Sequence, residues 1–185
     1  NTIRKTGRHG IHLDHSSVGR IAGNTIEDVH ASGIDVAEGS VARIGYLLRP
    51  LGHGPNTIRN AGEHGIVVTR GSSARIVGNA IENNKGSGVF VTRNSQADIF
   101  GNSISGNAGN GITASHNAGV NLDNEDQLFN LGANQTDPHS KNAGVGLSGS
   151  VGGYADGPMG TLDGVRGAKD MDGTCIDRLT KVTVH

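Results

Sequence analysis

The chain is short of what usually builds a globular core. Of its 185 residues only 34% are hydrophobic, and five are aromatic: Tyr46, Phe90, Phe100, Phe129 and Tyr154. Five rings cannot line a long sugar-stacking platform. A single cysteine, Cys175, excludes an intrachain disulfide and leaves the redox compartment open. No apolar run approaches the ~18 residues of a membrane span. The formal net charge is -1, which gives no reason to expect a polyanion such as nucleic acid as partner. Low hydrophobicity can mean disorder. Here the apolar residues are strictly periodic, which argues for a folded repeat instead.

What is abundant is glycine, 31 residues, and a recurring pattern. Asn1, Asn24, Asn56, Asn79 and Asn102 are each followed two residues later by isoleucine, at Ile3, Ile26, Ile58, Ile81 and Ile104. Gly10, Gly33, Gly65, Gly88 and Gly111 recur on the same spacing. The steps are 23, 32, 23 and 23, so the period is 23 with one nine-residue insertion. A fixed period in this range marks a solenoid. Further apolar columns are Ile11, Ile34, Ile66, Val89, Ile112 and Ile21, Ile44, Ile76, Ile99, Leu122. Polar residues alternate with them in short pieces, which predicts strands rather than helices. Three short strands per repeat describe a parallel β-helix, each strand pairing with its equivalent one coil away at about 4.8 Å. A leucine-rich repeat has a similar period, but its leucine consensus and helical return segment are missing.

The polar columns fit such stacking. Arg4, Glu27, Arg59 and Glu82 alternate in sign. Ser17, Ser40, Ser72 and Ser95 make a hydroxyl ladder, and the asparagines are expected to stack their amides at an inward bend. Residues 1–122 are read as the coils, with 45–55 as an inserted loop. Residues 123–185 are read as a final irregular coil and a C-terminal cap, because a solenoid end must cover its apolar groups and open strands. Asn1 already sits on the ladder. The expectation is that further coils precede it, after an export signal or within a longer protein, or that this face packs on another subunit.

The G-N-x-I and G-I-x-V elements of residues 1–122 resemble those of right-handed parallel β-helix proteins of the pectate-lyase-like superfamily. Gly153-Tyr154-Ala155-Asp156-Gly157, with Leu162-Asp163-Gly164 and Cys175-Ile176-Asp177, is similar to the C-terminal ends of secreted bacterial β-helix proteins. The resemblance implies an all-β, right-handed parallel β-helix exported from a bacterium to the surface, medium or periplasm. Members of that superfamily bind, cleave or epimerise acidic polysaccharides, and others are purely structural. Gly52-His53-Gly54 is similar to an element of polygalacturonases, without the aspartate pairs and Arg-Ile-Lys element that accompany it there. Asp137-Pro138-His139 is similar to an element of alginate epimerases, with Ser140 where that family has an aspartate.

Chemistry is expected on the outward columns after the Gly10 column. One runs His12, Asp35, Val67, Phe90, Thr113, and another His15, Glu38, Arg70, Arg93, His116. His12–Asp35 and His15–Glu38 are carboxylate–imidazole pairs on adjacent coils. Arg70 and Arg93 stand side by side, an arrangement that repels unless an anion lies with them. A uronate carboxylate would suit. Uronate lyases and epimerases need a cation on the substrate carboxylate and a base for the neighbouring proton. His12, Asp35, Arg70 and Arg93 are therefore the candidate catalytic residues. His15, Glu38, Phe90, Tyr46 and His53 are the candidate ligand contacts, with Phe90 placed to stack on a sugar.

No metal set is expected. His9 and His64 share a column two coils apart, roughly 9–10 Å, and His12 and Asp14 lie about 7 Å apart along one strand. Asp123, Glu125 and Asp126 offer the oxygen ligands calcium takes, without a recognisable loop spacing. No other cofactor is expected. Three functional readings remain open: a module binding or scaffolding on acidic polysaccharide, a polysaccharide lyase, epimerase or hydrolase, and a structural β-helix of an assembly.

Overall fold

The computed structural model describes residues 1–45, 54–123 and 131–180. Every regular element among them is a strand, and every pairing is parallel. The first sheet stacks β1 (Thr2–Arg4), β4 (Thr25–Glu27), β7 (Thr57–Arg59), β10 (Ala80–Glu82) and β13 (Ser103–Ser105). The second stacks β2 (Ile11–Leu13), β5 (Ile34–Val36), β8 (Ile66–Val68), β11 (Val89–Thr92), β14 (Ile112–Ser115), β16 (Leu147–Ser150) and β18 (Lys169–Met171). The third stacks β3 (Val18–Ile21), β6 (Val41–Gly45), β9 (Ser73–Val77), β12 (Gln96–Phe100), β15 (Gly119–Asn121), β17 (Tyr154–Pro158) and β19 (Ile176–Thr180). Each of the first five coils gives one strand to each sheet, and the last two give strands to the second and third only, which makes a parallel β-helix.

The register follows the sequence columns. Ile26 pairs with Ile58, Ile34 with Ile66, and Ile44 with Ile76. All of these are fully buried, so the core is a set of stacked aliphatic columns. Small coils succeed because each coil buries its faces against the next. The glycine column allows this closeness. A Cβ on Gly65 would stand 2.5 Å from Ile81 Cγ2 and 2.6 Å from the Gly88 carbonyl oxygen.

Corners are held by amide ladders. Asn24 Nδ2 donates to Asn56 Oδ1, Asn56 Nδ2 to Asn79 Oδ1 and Asn79 Nδ2 to Asn102 Oδ1, at 2.9–3.0 Å. A second ladder, not anticipated from the repeat, runs Asn84, Asn107, Asn142 at the next corner. The serine column bonds differently from a hydroxyl chain: the N–H groups of Ser17, Ser40 and Ser72 each donate to the hydroxyl one coil on.

Beyond Leu122 the walls continue. Asn102 Nδ2 donates to Asn134 Oδ1, so the first ladder resumes after another step of 32 residues. Gln135 and Thr161 bridge onward from Ser103, while β16 to β19 extend the other two sheets. The irregular sequence after Leu122 thus still supplies stacked strands, because the ladder asparagine and the inward apolar residues Leu147, Ala155 and Leu162 return in register.

Candidate functional site

The outer face of the second sheet, with the corner that leads to the third, forms an open groove of about 600 Å³. Parallel register sets His12 directly opposite Asp35, Asp35 opposite Val67, and Phe90 between Val67 and Thr113. Of the candidate residues, His12, Asp35, Glu38, Arg70, Phe90 and Arg93 line this groove together. His15 does not line it but reaches Asp14 and Glu38 at its edge.

One end is built from imidazoles and carboxylates. His12 Nδ1 lies 2.8 Å from Asp35 Oδ2, and His12 Nε2 lies 3.3 Å from Asp14 Oδ2. Rotamers close the separation along the strand that the sequence implies for His12 and Asp14. His15 Nδ1 is 3.1 Å from the same Asp14 oxygen, and this hydrogen bond holds the Asp14 carboxyl below the usual carboxylate range. His9 was not among the candidates, yet its Nε2 is 3.9 Å from Asp35 Oδ2 and its ring stacks on His12 with centroids 5.3 Å apart. One ligand atom from each of His9, His12 and Asp35 lies within 4.8 Å of the others. The sequence reading expected no metal-ligand set, and the side chains of these three residues bring ligand-type atoms together. The columns pair His9 with His64, but the His9 side chain crosses its column toward Asp35. The signal in the sequence was His-x-x-His with an aspartate one period after the second histidine.

The other half of the rim is cationic. His15, Glu38, Arg70, Arg93 and His116 all have φ between 52° and 55°. Each coil turns this corner through two left-handed residues, and the second is Ser16, Gly39, Gly71, Asn94 or Asn117. A left-handed residue with a Cβ costs about 1 kcal/mol, least for asparagine. The chain therefore sets long charged side chains where glycine or asparagine would be easier. Arg70 Nη1 lies 3.7 Å from Glu38 Oε1, and both groups are well exposed. Arg93 has no carboxylate within salt-bridge distance among the described residues.

Between the two halves, Phe90 stacks on His64 at 4.5 Å with 8° between the planes. One face of the ring expected to meet a sugar is thus occupied by imidazole. Burial pushes the His64 imidazole down from its ordinary value, against the opposing pull of Glu63, and its Nδ1 accepts the Ser87 N–H at 2.9 Å. The sign for stability follows. An unfolded histidine takes its proton near pH 6.5, about the ordinary value, while folded His64 resists it to lower pH. Stability is full above the unfolded pKa, falls as pH drops through it and levels off below the folded pKa. Thermal melts over a pH series should show Tm falling on acidification through that window. His64→Gln should show a smaller fall, and an identical fall in both proteins would remove His64 as the cause.

Tyr46 and His53 lie outside the described residues, as do Glu125 and Asp126. The described flanks of the inserted loop, Gly45 and Gly54, sit at the corner between the third and first sheets, away from the groove. Asp137 and His139 do not line the groove either. Asp137 Oδ1 accepts the His139 N–H within their own turn. A second row of cations, missed in the sequence, is on the outer face of the third sheet. There Arg20 pairs in register with Arg43 and Arg43 with Arg75, and Arg75 lies 5.2 Å from the Phe100 ring centroid.

Residues 55–126 match the model of the right-handed β-helix region. No curated protein matches the chain. Among solved structures it is similar to the periplasmic alginate epimerase AlgG, with a TM-score of 0.53 and 16% identity over 99% of this chain. Two single-substitution variants of that enzyme align with a TM-score of 0.56 at 17% identity, over 98% and 99% of this chain. The chain spans 38% of the length of that enzyme. At this identity the likeness is one of fold. Three parallel sheets stacked coil on coil and the match over residues 55–126 make the chain a right-handed parallel β-helix repeat protein.

Proposed function

We propose that the groove on the second sheet holds an acidic polysaccharide and that the chain is a secreted or periplasmic β-helix module for binding it. The observation that carries this reading is the pair Arg70 and Arg93 on successive coils, with no carboxylate in salt-bridge range of Arg93 among the described residues. Strand-to-strand spacing is about 4.8 Å, close to the length of a pyranose unit. A chain of uronates lying across the coils can therefore offer carboxylates to both guanidiniums. The structural neighbour is named as an alginate epimerase and as periplasmic, which supports both the ligand class and the compartment.

A second reading has its own observation. His12, oriented at Nδ1 by Asp35 at 2.8 Å, becomes a general base once a substrate displaces Asp14 from its Nε2, 3.3 Å away, and the guanidiniums lie in the same groove. That would suit proton abstraction beside a uronate carboxylate, as in a lyase or an epimerase. The test is to incubate the protein with alginate, pectate and hyaluronan, with and without calcium. Binding is followed by calorimetry, elimination by ultraviolet absorbance, and epimerisation by uptake of solvent deuterium. Saturable, salt-sensitive binding without turnover is the expected result. Turnover abolished in His12→Gln would move the protein to the second reading. No binding to any of the three polymers at low salt would defeat both.

A further inference from the structure

The geometry points to His9, His12 and Asp35 as a site for one divalent transition-metal ion of the zinc type, at the His-rich end of the groove. It stands independently of the polysaccharide reading. Zinc takes histidine nitrogen at about 2.0–2.1 Å and carboxylate oxygen at about 2.0–2.2 Å, so tetrahedral ligands lie about 3.3–3.5 Å from one another. Two of the separations, 2.8 Å from His12 Nδ1 to Asp35 Oδ2 and 3.9 Å from His9 Nε2 to the same oxygen, bracket that value. The three ligand atoms lie within 4.8 Å of one another, and a turn of the His9 ring would bring its Nε2 onto an ion shared with His12 and Asp35. His12 and Asp35 are fixed in paired strands, while the His9 ring, stacked on His12 with 19° between the planes, has to turn out of the stack to aim Nε2 at a shared ion.

A further observation, Asp14, supports the assignment. Its Oδ2 lies 3.3 Å from His12 Nε2, so that with a metal on Nδ1, in place of the proton Nδ1 shares with Asp35 at 2.8 Å, Nε2 can donate its own proton to Asp14. A carboxylate behind a histidine is the usual way a ligand ring is aimed and made more basic. His9 is the less prepared ligand: its Nε2 faces the carboxylate at 3.9 Å, but with a metal there the proton stays on Nδ1, which is buried with no hydrogen-bond partner among the described residues.

Two imidazoles and one carboxylate suit zinc, cobalt, nickel or copper and are a poor match for calcium, which takes six to eight oxygens. Three protein ligands leave a fourth position, and all three line the groove, so that position faces it. If the proposed function holds, a uronate carboxylate could complete the sphere there.

The experiment uses the chain without an affinity tag, stripped with chelator. Cobalt is titrated with the visible d–d spectrum as readout, and zinc by calorimetry. One equivalent is expected, with a dissociation constant of about 1 µM or below and a tetrahedral cobalt spectrum. His9→Gln and Asp35→Asn should each weaken binding by about 100-fold or more, and Asp14→Asn by about 10-fold. Far-ultraviolet circular dichroism of each stripped variant checks that the coils remain. Zinc binding weaker than about 1 mM, or unchanged affinity in folded His9→Gln and Asp35→Asn, overturns the site. Neither measurement involves a polysaccharide, so failure here is separate from failure of the binding reading.

Discussion

Asn79→Ala should cost the fold about 4 kcal/mol, the sum of several unsatisfied groups at about 1–3 kcal/mol each. Asn79 Oδ1 accepts both the Asn56 N–H, at 3.1 Å, and Asn56 Nδ2, at 2.9 Å. Its Nδ2 donates to Asn102 Oδ1 at 3.0 Å, to the Ile44 carbonyl at 3.1 Å and to the Val77 carbonyl at 3.2 Å. Alanine removes all five bonds in a place where Asn56, Asn79 and Asn102 are almost wholly buried. Water cannot easily replace them. Domains of this size have about 5–15 kcal/mol in total, so the loss is a large share of the stability. Tm should fall by about 10 °C. Asn79→Asp should be worse, since it replaces the donating nitrogen with an oxygen facing three acceptors. The control is Asn60→Gly. Asn60 is exposed at φ 55°, where glycine fits, and its bond to Asp28 is at the surface. That change should stay within about 0.5 kcal/mol. Urea melts of the three variants decide it. A cost below about 1 kcal/mol for Asn79→Ala would mean the ladder is not a principal support of the stack.

The fold was legible because a solenoid writes its register into its period. Once Asn24, Asn56, Asn79 and Asn102 are aligned, every strand partner follows, and His12 opposite Asp35 or Phe90 beside Val67 needs no further information. What the period cannot hold is anything that skips coils or crosses columns. The ladder of Asn84, Asn107 and Asn142 begins midway, because Ala61 fills its place one coil earlier and offers only its N–H to Asn84 Oδ1. The return of Asn134 was hidden by a 32-residue step. That step equals the one already seen between Asn24 and Asn56, and so could have been sought. At the site, the backbone placed the columns but rotamers set the contacts. Asp14 reaching back to His12, and His9 reaching across to Asp35, depend on side-chain torsions that spacing does not fix. The left-handed corner was legible only in its second residue, where Gly39, Gly71, Asn94 and Asn117 announce it. The charged residues before them conceal the conformation they occupy.

That concealed conformation makes the second large effect separable from folding. Arg70→Asn and Arg93→Asn place, at φ 55°, a residue that tolerates the left-handed region better than arginine does. Stability should therefore hold or rise by a few tenths of a kcal/mol. Affinity should not hold. A guanidinium hydrogen-bonded to a carboxylate contributes about 1.5–3 kcal/mol, so each single change should weaken binding of the acidic polymer by about 10- to 150-fold. The double variant should bind no better than background. Arg93→Asn is expected to be the more damaging, because Arg70 already shares its charge with Glu38 at 3.7 Å whereas Arg93 has no such pair among the described residues. Salt dependence should flatten in the same order, since each lost cation removes a screened attraction. The row Arg20, Arg43 and Arg75 on the third sheet provides the competing prediction. If the polymer lies there, Arg43→Gln will abolish binding and the Arg70 and Arg93 variants will not. Polysaccharide affinity measured on these variants at two salt concentrations, with Tm recorded for each, distinguishes a ligand groove on the second sheet from a general attraction of polyanion to arginine.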